Sequence, residues 1–469
     1  MGMRIGSTGR MCLGILTLGV AMALTACGHR GTAAGKPVVT LTWLTRSDMG
    51  PKVVEWEKQV AGQYQHLHPD VHISIISVPW SAYNAKLLSL TAAGTPPAVY
   101  ATFAAGFGTF LAKGTLANLT PYLRSSDVPM KQWNASAMTS LTRGGKVYGL
   151  PMDNMPSVLF YNATLFAKAH LPLPPTSWAD RSWTLSTLVQ DAKAISRHTT
   201  HPTQAVWGLN LSPGQFGTDL SWLWGCDPFA PSGGPSAATA YRTGMVSATY
   251  FTSACYTAAM RFAKNLSVTD HVSPSPTDMT ALTTLGNDPF MTGRVGVQSG
   301  IYIVQPMLAV HPTFRWAIAP FAYGPGGKDT TKLWTDAWVM SRHTAHPKAA
   351  FQFLLYLTTG SRAKSFALTT GFFPALSTLQ DSTLRFESKL TGMTLTYKQL
   401  KSVVLGGLAP GQAFEAPGHT LADFVQLNTA WSNTLDPFFL GKQSTASAMR
   451  AVSKAFAPLT ASAAASAAG

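Results

Sequence analysis

The chain has 469 residues and a formal charge of +15, from 35 Lys and Arg against 20 Asp and Glu. Only 12% of its residues are charged, about half the usual share, so the excess reflects missing carboxylates. No run of five or six Lys/Arg occurs, which excludes the footprint of a nucleic-acid groove. Such a balance suits a protein facing acid, where carboxylates that protonate would otherwise subtract stability.

Arg4 and Arg10 precede a short apolar run from Met11 to Ala26, which reads as a secretory signal and is too short for a spanning helix. Leu24-Thr25-Ala26-Cys27 is similar to the bacterial lipobox, in which the cysteine thiol receives a diacylglyceryl group. Residues 1–27 are therefore expected to be a lipoprotein signal peptide and 28–37 a flexible linker, with the membrane reached through the lipid on Cys27 alone. An ordinary cleaved signal with a chance cysteine is the alternative. Beyond this point nothing is long and apolar enough to cross a bilayer.

The remaining chain alternates strands and helices. VVTLTWL (38–44) reads as a buried strand. Pro51 then opens a helix whose Val53, Trp56, Val60, Tyr64 and Leu67 share one face. VHISIISV (71–78) is the next strand, followed by a helix over 81–93, a strand over 98–102 and a helix over 106–113. This alternation implies a mostly parallel α/β sheet covered on both faces. Two closely spaced strands follow, near 147–152 and 157–161, then helices at 162–170 and 185–198, with Thr184 as N-cap of the second. Residues 225–239 form a turn-rich excursion. Cys226 lies in it and Cys255 beyond it, and in an oxidising compartment they form a disulfide or remain two buried thiols. No Cys/His cluster suggests a metal, and no cofactor is expected. Strands near 295–298, 314–319 and 337–340 and helices at 348–359 and 362–370 come next, and the low-complexity end, 459–469, is expected to be disordered.

Several stretches, in order, resemble the family 1 extracellular solute-binding proteins of ABC importers. They are His68-Pro69-Asp70-Val71, Gly94-Thr95-Pro96-Pro97-Ala98-Val99, Lys146-Val147-Tyr148-Gly149-Leu150-Pro151 with Phe160-Tyr161-Asn162, Phe290 to Val297, and Pro347-Lys348-Ala349-Ala350. Ala98 stands where the family usually has Asp. The resemblance implies a two-lobed, type II periplasmic-binding-protein-like α/β fold. Lobe 1 would take 38–153 with 337–382, and lobe 2 would take 154–336 with 383–458. The crossings near 151–154 and 334–337 would be hinges. It also implies a monomeric receptor that closes on its solute and is read by an ABC permease.

The expected solute is a sugar, an oligosaccharide, which needs flat apolar faces and neutral or acidic hydrogen-bonding groups. Candidates lie in turns after strands: Arg46, Ser47 and Asp48, with helix capping the other reading of Asp48; Trp80; and Phe103. Asp153 and Asn154 sit on the first crossing, where hinge hydrogen bonds are the alternative role. Gln215, Phe216 and Trp224 would face the cleft from lobe 2, and Trp334 and Asp336 lie on the second crossing. The resemblance places Tyr302 opposite a family tryptophan that stacks on sugar. An extracellular glycoside-acting enzyme is the rival reading, with Asp153 and Asp336 as its carboxylates. No GxSxG, HExxH, Walker or GxGxxG stretch supports an enzyme. A phosphate-ester binder would rely on Arg46, and a polyamine binder would need acids that are scarce here.

Overall fold

Val39 begins the first strand of a computed structural model that describes residues 38–468, apart from 104–105, 202 and 286–287, with side chains to residue 460. The expected signal peptide, Cys27 and linker lie outside the described residues. In chain order the strands are β1 (Val39–Arg46), β2 (Val71–Val78), β3 (Val99–Thr102), the hairpin pair β4 (Thr142–Arg143) and β5 (Lys146–Val147), β6 (Leu150–Pro151) and β7 (Met155–Asn162). They continue with β8 (Trp207–Asn210), β9 (Val295–Ile301), β10 (Trp316–Ala319), β11 (Thr331–Trp334), β12 (Ala337–Met340) and β13 (Ala413–Glu415).

Two larger sheets form, one in each lobe. The first has the order β2-β1-β3-β12-β6 and the second β13-β11-β7-β9-β8, with β10 also on β7. Both are mixed, which corrects the expectation of mostly parallel sheets. β1 runs parallel to β2 and β3, whereas β12 runs antiparallel to β3 and β6. In the second sheet β7 is antiparallel to β9, β10 and β11. The cause is the connectivity. The chain leaves the first lobe between β6 and β7 and returns between β11 and β12, so outgoing and returning strands must oppose each other.

Pro51 starts the helix Pro51–Leu67 at its first turn, where a missing N–H costs nothing, and Gly50 precedes it at φ 96°. Its buried Trp56 lies 6.3 Å from Trp43, whose fully buried ring also meets Trp338 at 5.4 Å and Phe353 at 5.3 Å. This aromatic core fixes β1 against the helices behind it, and through β1 it fixes the turn at residues 46–49.

A second core lies beside the second sheet. Phe216, Phe229, Phe251, Trp431 and Phe456 pack edge to face or tilted within 6.1 Å of a neighbour. Phe216 is therefore core, fully buried, and not a ligand contact. Cys226 and Cys255 are joined as a disulfide that clasps the excursion after Trp224. For a loop of 29 residues the chain-entropy contribution is about 3–4 kcal/mol. Reduction should accordingly lower the melting temperature, and thiol titration of unreduced, denatured protein processed at residue 27 should find neither cysteine free. The last helix, Thr445–Ala468, runs through the tail expected to be disordered, because alanine has the highest helix propensity and dominates that stretch.

The lobes touch where the helix Phe107–Ala112 meets the turn after β13. Phe107 stacks on His419 at 5.6 Å between ring centroids. A Cβ on Gly108 would sit 2.7 Å from the Leu421 carbonyl oxygen, so only glycine permits this approach.

Candidate ligand-binding cleft

Two adjoining chambers, each of about 380 Å³, lie along β9. Gly300 and Ile301 border both of them. One chamber faces the end of β1, with Arg46, Asp48 and Met49 on one wall and Asp288, Gln298 and Gln305 among those opposite. The other is bounded by Ser157, Gln215, Ser299, Trp334, Asn428 and Trp431, among others.

On the first wall Arg46 is held from several sides. Its guanidinium carbon lies 4.8 Å from the Trp80 ring centroid and 5.2 Å from that of Phe103, and these two rings meet edge to face at 5.2 Å. Arg46 Nε donates to Asp48 Oδ1 at 3.0 Å, while Asp48 Oδ2 accepts from the Trp80 N–H at 3.0 Å. Asp48 thus ties the turn after β1 to the start of the helix Trp80–Ala92. Burial alone would raise its pKa, but Arg46 and the Trp80 N–H hold it below the ordinary value. Ser47 is exposed and donates its backbone N–H to Val78. Trp80 and Phe103 back the Arg46 wall; neither borders a chamber.

On the second wall Asn210 Nδ2 donates to Gln298 Oε1 at 3.0 Å, and Gln298 Nε2 donates to Asp288 Oδ1 at 3.1 Å. Trp334 Nε1 donates to Ser157 Oγ at 2.8 Å, which fixes the tilt of its half-buried ring. Lys332, fully buried, pairs with Asp219 at 2.6 Å and lies 5.5 Å from the Trp334 ring. Burial lowers the lysine pKa and raises that of the aspartate. Gln215 accepts the Gly418 N–H at 3.1 Å.

Other expected contacts lie elsewhere. Ile301 and Ile303 border a chamber, and Tyr302, just past the end of β9, is buried in the core between them. Tyr302 is 1% exposed, donates to Glu387 Oε2 at 2.6 Å and packs on Phe373. Trp224 packs on Phe262 at 5.2 Å and borders neither chamber. Asp153 and Asn154 are fully buried braces at the crossing between the two sheets: Asp153 Oδ1 accepts the Asp336 N–H at 2.9 Å, and Asn154 Nδ2 donates to Ser136 Oγ at 2.8 Å. Burial, with Asp336 and Glu415 nearby, holds the Asp153 carboxyl well above its ordinary pKa. Asp336, 6% exposed, belongs to this brace. Both carboxylates are buried at the crossing, where Asp153 accepts the Asp336 N–H, and neither borders a chamber.

The sequence reading missed Asp288, Gln298, Asn428 and Trp431. A usable signal existed in the helix Phe424–Phe439, where Asn428, Trp431 and Ser432 fall at positions i, i+3 and i+4 and so share a face.

The sequence profile of the bacterial extracellular solute-binding proteins matches residues 50–359, and the chain belongs to that family. It is 27% identical over 176 residues to a galactooligosaccharide-binding protein of Bacillus subtilis, spanning 36% of this chain and 38% of that one. It is 28% identical over 211 residues to a lipoprotein of Streptomyces antibioticus, spanning 42% of this chain and 44% of that one. These alignments thus span less than half the length of each of these relatives. The fold is that of an ABC substrate-binding protein of Listeria monocytogenes solved with cycloalternan, at a TM-score of 0.73 and 18% identity over 90% of this chain and 99% of that one.

Proposed function

We propose that this protein is an extracytoplasmic receptor, anchored by lipid on Cys27, that binds a neutral oligosaccharide between its lobes and delivers it to an ABC permease. The observation that carries this reading is the pair of adjoining chambers along β9: Arg46 and Asp48 of the first lobe face β9 across one, and the half-buried Trp334 stands among Ser157, Gln215, Ser299 and Asn428 in the other. Indole faces cover sugar C–H surfaces, and hydroxyls and amides exchange hydrogen bonds with sugar hydroxyls. Two adjoining chambers favour more than one sugar ring, in keeping with the galactooligosaccharide-binding relative above. Charged solutes fit less well. Arg46 is engaged by Asp48 and two rings, Lys332 by Asp219, and Asp288 by Gln298. Ligand binding would stabilise the closed arrangement of the lobes by its differential affinity for it.

A thermal-shift screen tests the solute class. A neutral oligosaccharide at 100 times its Kd should add about 2.7 kcal/mol, whereas phosphate esters and polyamines should add nothing. A shift confined to a charged solute would contradict the reading. Cys27→Ser should release the protein from the membrane fraction with its fold intact, and continued retention would remove the lipid anchor from the account.

A further inference from the structure

Besides the ring contact of Phe107 with His419, a hydrogen-bonded contact joins the two lobes. It runs from Ser140, at the end of the helix Ala135–Ser140 in the first lobe, to Glu415 on β13 in the second. Ser140 Oγ lies against Glu415 Oε1 and also 2.8 Å from the Ser136 carbonyl oxygen, which can only accept. A hydroxyl has one hydrogen, so both contacts are satisfied only when Glu415 carries a proton and donates it to Ser140 Oγ. Thr335 Oγ1 lies 3.2 Å from the same Glu415 oxygen, but Asn154 Oδ1, at 3.1 Å, competes for its one hydrogen. Glu415 Oε2 is buried and has no hydrogen-bond partner among the described residues. An ionised Glu415 could therefore gain a donor here only by breaking one of these bonds.

The charged and titratable groups around this carboxyl come from several elements. His419, on the turn after β13, has its Nδ1 3.6 Å from Glu415 Oε2, and burial holds its pKa down to about 3, so it stays neutral. Arg143 on β4, whose Nη1 donates to the Ser140 and Thr142 carbonyls at 2.9 Å each, favours the carboxylate. Asp336 on one crossing opposes it, and Asp153 on the other lies close enough to feel both acids. Burial outweighs the arginine and raises Glu415 from 4.5 to about 8. Wetted by a separation of the two elements, the carboxyl would return toward its ordinary value. The proton thus favours the made contact over the broken one, and their ratio falls by up to about tenfold per pH unit as pH rises between those limits.

We propose that Glu415 is a proton-dependent clasp between the lobes: protonated, it holds β13 to the helix Ala135–Ser140, and on losing the proton it lets the lobes part. Single-molecule FRET on the chain from residue 28, without sugar, tests this. The dyes sit on Lys58→Cys in the first lobe and Gln190→Cys in the second, both exposed positions. One FRET population is expected at pH 5.5, with a second growing in toward pH 9. Glu415→Gln, neutral at every pH and still able to donate to Ser140 Oγ, should keep the single population at pH 9. Ser140→Ala, which removes the partner in the first lobe, should show the second population already at pH 5.5, and it serves alone if Glu415→Gln does not fold. A single unchanged population in the parent chain up to pH 9 would overturn the proposal. So would the same pH-dependent growth in Glu415→Gln, or a Ser140→Ala variant matching the parent at both pH values. None of these outcomes depends on whether the cleft binds sugar.

Discussion

The protein should melt at a higher temperature at pH 5 than at pH 8, by at least several degrees. Glu57, Glu387 and Glu415 are each pushed by burial from an ordinary 4.5 up to about 8. Each therefore binds more protons folded than unfolded between about pH 4.5 and 8. Its contribution to stability is complete below that window and is lost as pH rises through 8. Asp227 acts in the same direction, raised by burial from 3.8 to about 6. His419 opposes them: burial lowers its pKa from 6.5 to about 3, so its contribution is lost as pH falls through that range. A single histidine does not offset several glutamates, and the maximum should lie near pH 5. With few carboxylates on the surface to lose, the chain would gain from mild acid instead of unfolding in it. Calorimetric melts across pH 4–9 check this, and a maximum near neutrality with unfolding already under way at pH 5 would contradict it.

Tyr302→Ala should destabilise the protein by about 3–5 kcal/mol, the usual effect of deleting a large buried aromatic. The loss has a second source: Glu387 Oε2 accepts the Tyr302 hydroxyl at 2.6 Å, and its removal strands a fully buried carboxyl at a further cost of about 1–3 kcal/mol. Tyr302→Phe should show only this smaller part. Affinity for the cleft ligand should change little in either variant, because the ring faces away from both chambers. An unchanged melt with at least tenfold weaker binding would instead place Tyr302 among the ligand contacts.

What the sequence revealed is mostly local. Pro51 at the first turn of its helix and Thr184 capping the helix Leu185–Ile195, with its side chain accepting from the Thr187 N–H, depend on neighbours a few residues away. Trp43 is fully buried for the same kind of reason, since it lies inside the stretch 38–44 that reads as a buried strand. The mixed sheets depend on pairings such as Ala337 with Thr102 and Pro151, far apart in the chain. Tyr302 lies just past the end of β9, where the sequence gives no sign of which way a side chain turns until its partners are known: Glu387, 85 residues away, decides it. Trp431 reaches the chamber from the C-terminal helices by another distant contact. Asp48 was readable as a cap, although it serves the helix after β2 and not its own.

The most direct test of the central claim is calorimetric titration of the processed chain and its Trp334→Ala variant with the neutral oligosaccharide that gives the largest thermal shift. Stacking on an indole face is worth about 1–2 kcal/mol, so the variant should bind roughly tenfold more weakly while the sugar is recovered unaltered. Equal affinity in both proteins, or hydrolysis of the sugar during the titration, would contradict a receptor whose cleft holds its ligand against Trp334.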